Sequence, residues 1–412
     1  MGYIKTIKKH SHVTFTLAVL IYFCSAFCFT TNSTRAKKVN GDSLQKKFAG
    51  TEACKSCHNS IYDSFIHTAH YYSSRPGNAE SIKGSFAPDK NHFKYNQWME
   101  VVMEKKGDSF MQSSYVNGQE MQSESIDITI GSGRKGQTYL YWKDNHLYQL
   151  PISYFTPRDA WCNSPGYPST IAKFYRQIPG QCLECHSTFS KLESETETET
   201  VFDRNGIFYG VNCERCHGSA VDHIEYHKTH PGETTGKYII NPGTMTRQQQ
   251  LDACAFCHSG FRKQTKPSFS FNVGDKLDEF SVATYNADTS SQLDVHGNQY
   301  GLLTASKCFK MSDMNCNSCH NVHTTEFNVP KIFSTRCMNC HTAALHNECT
   351  FKPPAAVVLS DNCIDCHMPL LPSNKIVLEV AGQQSSEPDY VRTHRVAIYP
   401  ESTKEFLRKK KK

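Results

Sequence analysis

The chain has 412 residues, with 45 Lys and Arg against 39 Asp and Glu, a formal charge of +6 and only 38% hydrophobic residues. A mean hydropathy of −0.54 excludes a polytopic membrane protein and leaves little apolar material for an ordinary core of this length. The 19 cysteines are the anomaly to be explained.

At the N-terminus, Lys5, Lys8 and Lys9 precede an apolar stretch from Val13 to Phe29. This pattern predicts an export signal over residues 1–36, with a periplasmic or otherwise exported mature protein. An uncleaved membrane anchor, or a lipid on Cys24 or Cys28, is the alternative. Phe23 and Phe27 are bulky where a lipid-attachment signal wants a small residue. Nothing later in the sequence is long and apolar enough to span a bilayer.

Residues 37–92 form a first segment carrying Cys54-Lys-Ser-Cys57-His58, followed by a helix-like spacing from Ile61 to Tyr72. The same CxxCH pattern returns at Cys182/Cys185/His186, Cys213/Cys216/His217, Cys254/Cys257/His258, Cys316/Cys319/His320, Cys337/Cys340/His341 and Cys363/Cys366/His367. Composition alone would give roughly 0.04 copies, not seven. Zinc ribbons and knuckles also use CxxC pairs, but they do not require histidine after the second cysteine. Covalent haem c requires this spacing: two thiols add across the porphyrin vinyl groups, and the adjacent histidine is set beneath the iron. Seven covalent haems are therefore predicted, with the seven motif histidines as proximal iron ligands.

Between the first motif and the other six the texture changes. Trp98 to Tyr115 and Ser125 to Leu150 are rich in β-branched and aromatic residues, with turn signals at Lys106-Gly107-Asp108 and Lys143-Asp144-Asn145. A small antiparallel β insertion over residues 93–155 is expected. Gly131-Ser-Gly-Arg-Lys-Gly136 matches a dinucleotide fingerprint by letter. A strand-like run follows it where a helix is needed, so it is a turn. Residues 156–400 form the six-haem region, in which Glu193 to Thr200 is an acidic loop. Residues 401–412 form a frayed basic tail. The predicted fold class is mainly α, with much irregular chain wrapped around stacked haems that supply most of the core.

Each ferric haem adds roughly one negative charge through its propionates, so seven cancel the formal charge. Nucleic acid is not an expected partner. Redox proteins are, and the N-terminus offers a membrane association.

Eleven histidines remain beyond the motifs and the leader. They are His67, His70, His92, His146, His223, His227, His230, His296, His323, His346 and His394. A helix after Cys213–His217 lies on the proximal side of its own haem. His223 should therefore reach a neighbouring iron, with His227 and His230 as surface positions. The same geometry sends His323 to another iron. Cys308 and Cys349 have the option of a disulfide, and Cys162 reads as a small buried residue.

The chain resembles the multihaem cytochrome c family that includes the cytochrome c-554-like proteins. The resemblance rests on Thr68-Ala-His70, Leu147-Tyr-Gln-Leu-Pro151, WCNSPGYP (161–168), CHG followed by His223, HGNQYG (296–301), SKCF before CHNVH, and CHMP followed by His394. It implies a helical fold with much irregular chain, and His70, His223, His296, His323 and His394 as distal haem ligands. Members differ in haem number, so no member's wiring transfers whole.

The leading functional expectation is an electron carrier built from mostly bis-histidine haems, with no catalytic residue. The alternative is a reductase or oxidase of a small nitrogen or sulfur compound at one five-coordinate haem, with Tyr167, His146 or Arg158 near it. A filament-forming conductor is a third class.

Overall fold

The computed structural model describes residues 47–345, 348–352, 357–383 and 385–410. The expected export signal lies outside them.

Among the described residues thirteen strands precede residue 210. They are β1 (Ser74–Pro76), β2 (His92–Lys94), β3 (Met99–Lys106), β4 (Ser109–Val116), β5 (Gln119–Ser125), β6 (Ile128–Ile130) and β7 (Gly136–Lys143). They continue with β8 (His146–Gln149), β9 (Ile152–Phe155), β10 (Ala160–Asn163), β11 (Arg176–Gln177), β12 (Ser187–Glu195) and β13 (Thr200–Tyr209). Strands β2 to β5 make a four-stranded antiparallel meander, and β12 pairs with β13. A seven-stranded sheet runs β1-β6-β7-β8-β11, with β9 and β10 joined through β7. Both expected turns are two-residue hairpin loops: Lys106 pairs with Ser109 around Gly107-Asp108, and Lys143 with His146 around Asp144-Asn145. Gly107 (φ 62°) and Asp144 (φ 54°) supply the left-handed backbone such loops need.

Strand β7 shows why this region folds. Consecutive side chains on a strand point to opposite faces. Tyr139 and Tyr141 enter one hydrophobic cluster with Trp161, Leu150 and Val101, while Leu140 enters another with Leu147, Phe189 and Phe202. Of the twelve largest fully buried side chains, only Leu251 lies outside residues 103–202.

This overturns the expectation of a mainly α protein with a small β insertion at 93–155. Over the described residues the chain is mixed α/β, 29% helix and 27% strand, with antiparallel sheet from residue 74 to 209. Alternation marks strands with one wet face, and the missed strands lack it. β10 is buried over three of its four residues, β1 is three residues ending in Pro76, and β12 and β13 flank the acidic stretch, which caps their hairpin. The β region also has an apolar core of its own, whereas haems were expected to supply most of the core.

The remaining elements are short helices. They are α1 (Lys55–Phe65), α2 (Gly180–His186), α3 (Cys213–His217), α4 (Val221–Thr229), α5 (Arg247–His258), α6 (Gln299–Thr304), α7 (Lys307–Lys310), α8 (Pro330–Cys337), α9 (Cys363–His367) and α10 (Pro400–Lys410). Two further hairpins join them, β14 (Arg262–Gln264) with β15 (Ser281–Ala283) and β16 (Leu370–Leu378) with β17 (Glu387–Arg392). The C-terminal segment, expected to fray, is helical as far as Lys410. Among the described residues no helix is long and apolar enough to cross a membrane.

Candidate haem cavity

Four motifs end a helix at their histidine: α2 at His186, α3 at His217, α5 at His258 and α9 at His367. One helical turn puts the two cysteines, three residues apart, on one face, with the histidine one step further round. In the first motif the helix kinks at the histidine itself, where His58 leaves helical geometry (φ −117°, ψ 37°). The longest of these helices, α5, starts from a capping box between Thr246 and Gln249.

The motifs converge on one cavity of about 4280 Å³. Its lining includes the cysteines and histidine of six motifs, together with Cys185 and His186 of the second. It also includes His70, His223, His296, His323 and His394, the five candidate distal ligands, and His227.

Four of those five histidines face a motif histidine across a gap. Ring centroids are 6.4 Å apart for His58 and His223, 6.2 Å for His258 and His70, 6.1 Å for His217 and His323, and 6.2 Å for His320 and His394. An iron bound by two imidazole nitrogens needs ring centroids about 6 Å apart. The residues present therefore fit a six-coordinate haem iron at four positions. Among the described residues no group of three or more His, Cys, Asp or Glu converges as a metal cage. The fifth candidate, His296, lines the cavity but stacks on no motif histidine among the described residues.

Hydrogen bonds to the second ring nitrogen set several tautomers. His217 Nδ1 donates to Ile240 O (2.9 Å), His223 Nδ1 to Lys237 O (2.8 Å) and His367 Nδ1 to Ala397 O (2.9 Å). Each leaves Nε2 as the lone-pair nitrogen, and a backbone partner raises its donor strength. Burial supplies the rest. It pushes His70 and His394 down to about 4, with nearby imidazoles adding to the shift, and it lowers His186, His258, His296, His320 and His323. A neutral imidazole is the form that binds a metal.

From the third motif onward neighbours in space follow the sequence, whereas the first and second motifs each skip one. Cys54 of the first motif adjoins Cys213 of the third, and Cys185 of the second adjoins Cys257 of the fourth. Cys254 of the fourth adjoins Cys316 of the fifth, and Cys337 of the sixth adjoins Cys363 of the seventh. Cys216 lies near Cys257, and Cys319 near Cys340, which links the third motif to the fourth and the fifth to the sixth.

Other expected residues stand elsewhere. Tyr167 donates to Gln149 O, His146 meets Glu199 and Arg158 pairs with Glu387; none of the three lines the cavity. Cys162 is buried among Phe155, Leu378 and Val380, and burial pushes its thiol up to about 12. Cys308 and Cys349 are both free thiols on the cavity wall. His230 stacks on Tyr226 away from the cavity, but His227, expected at the surface, packs on the His223 ring at 4.6 Å. The i, i+4 spacing of His223 and His227 was the available signal for that contact. The glycine-rich turn at 131–136 reaches the cavity through Gly131, Ser132, Arg134 and Lys135, which its sequence did not announce.

Residues 169–218, spanning the second and third motifs, match the family described as cytochrome c554 and c-prime. No curated protein sequence matches the chain. A solved structure entitled "Crystal Structure of Outer Cell Wall Cytochrome OcwA" is similar in fold, with a TM-score of 0.51 and 16% identity. That likeness covers 87% of this chain and 81% of the other. The chain thus carries a segment similar to the cytochrome c554 and c-prime family, within a fold that gathers its CxxCH motifs round one cavity.

Proposed function

We propose that this protein is an exported heptahaem cytochrome that carries electrons between redox partner proteins through mostly bis-histidine sites. The observation that carries the reading is the set of four facing histidine pairs at 6.1 to 6.4 Å. Haem iron supplies one-electron chemistry when bound. Two imidazoles per iron leave no open position and keep the coordination sphere unchanged on reduction. The chain's own task is then to hold these rings, through Ile240 for His217 and Lys237 for His223, and to bring the attachment sites together.

The relative positions of the thiols support a conduction order of first, third, fourth, fifth, sixth and seventh motif, with the second branching from the fourth. Export is supported by the basic and apolar leader in the sequence and by the likeness in fold to a cell-wall cytochrome. Low-temperature EPR of the ferric protein tests the carrier reading. The expected spectrum is dominated by low-spin haem, with negligible binding of nitrite, hydroxylamine or cyanide. A stoichiometric high-spin haem that binds these ligands tightly would transfer the assignment to the small-molecule reductase or oxidase.

A further inference from the structure

Arg215, the second spacer residue of the third motif, stands where three motifs meet. Its guanidinium lies 4.7 Å over the Phe256 ring, which itself stacks on Phe271 at 4.7 Å. Nη1 donates to Phe271 O at 3.4 Å, while Nη2 is buried with no hydrogen-bond partner among the described residues. The side chain lines the haem cavity. Phe256 is the second spacer residue of the fourth motif, and its carbonyl accepts from Cys185 Sγ of the second at 3.9 Å, so the charge stands beside the second, third and fourth motifs.

Two other arginines beside the motifs are neutralised. Arg336 pairs with Glu326, and Arg392 with Asp365. Arg215 has no such ion pair among the described residues. Glu184, the carboxylate within reach of its field, accepts from Phe269 N and Gln264 Nε2 instead. A guanidinium stays protonated in a protein, so this is a fixed cation held in a low-dielectric site.

Adding an electron to a haem adds a negative charge, and an unneutralised cation nearby stabilises that state. We infer that Arg215 is a potential-setting residue: a fixed cation shared by the second, third and fourth attachment sites that makes their junction the electron-holding point of the path. The inference rests on the seven-haem reading above.

The test compares Arg215→Gln, and Arg215→Met as a second neutral side chain, with the charge-retaining Arg215→Lys in the full matured protein. Intact mass and EPR are read first, then an EPR-monitored redox titration. With seven haems attached and low-spin in every variant, the neutral variants should shift the part of the titration belonging to three of the seven haems to lower potential. The other four should not move, and Arg215→Lys should recover at least half of the shift. Superimposable titrations for wild type and the neutral variants would overturn the inference. So would equal shifts for lysine and the neutral variants, which would mean that shape matters and charge does not. A wild-type mass short of seven haems would instead refute the reading on which it rests.

Discussion

His58 and His223 face each other with ring centroids 6.4 Å apart and planes inclined by 18°, although 165 residues separate them in the chain. His223 is held by Lys237 O on one side and backed by His227 on the other. His223→Ala should leave all seven haems attached, because thioether formation uses only the cysteines and the proximal side. One ferric iron should turn high-spin and gain affinity for cyanide. His227→Ala should alter the g-values of that same haem without changing its spin state. EPR of the two variants distinguishes these outcomes, and an unchanged spectrum for His223→Ala would refute the pairing.

Seven attachment motifs should add about 4.3 kDa to the processed polypeptide. Intact-mass measurement of protein made with the maturation machinery checks the number directly. A smaller increment would identify an unused motif, which cysteine-to-serine variants would then locate.

Glu214, the first spacer residue of the third motif, is a buried carboxylate clamp. It accepts from Ala49 N (2.8 Å), Gly50 N (2.9 Å) and Ala220 N (2.9 Å). Glu214→Ala strands three backbone donors and should cost about 3 kcal/mol, with Glu214→Gln costing about half of that. Chemical denaturation followed by circular dichroism measures both. Equal stability of the alanine variant and wild type would contradict the clamp.

Glu326 is tied to Arg336 by two hydrogen bonds, and its side chain is only 10% exposed. The Arg336 guanidinium holds its carboxyl below the usual range. The unfolded chain therefore takes up the proton first as pH falls. The contribution to stability is complete above the ordinary carboxylate value near 4.3 and is lost below it, through the lowered folded value. Glu326→Gln should destabilise by about 1–2 kcal/mol at neutral pH. The gap to wild type should close as pH drops below about 4, as read from urea midpoints across the pH range.

Protein made without haem attachment should retain a folded β region. Nearly all of the largest fully buried side chains lie between residues 103 and 202, whereas the motifs line a cavity. Limited proteolysis of such material should leave a resistant fragment covering roughly residues 74–209, with the remainder digested. Uniform digestion would show that the β core depends on the haems.

The haem chemistry was legible in the sequence because covalent attachment is local. Two thiols and an imidazole within five residues must serve one porphyrin, so the histidine after each CxxC pair separates haem from zinc. Both hairpin turns were legible for the same reason, since Gly107 and Asp144 answer a backbone demand set within four residues. The extent of the sheet was not, because β10, beyond residue 155, is buried on both faces and loses the alternation that marks a half-wet strand. The partner of each candidate distal histidine was not legible either. His223 meets His58 and His394 meets His320 through contacts between distant segments, and no local rule sets them. Arg215 is the sharpest case. In sequence it is a spacer within one motif; only the packing of three motifs around Phe256 and Phe271 makes it a shared, unneutralised charge.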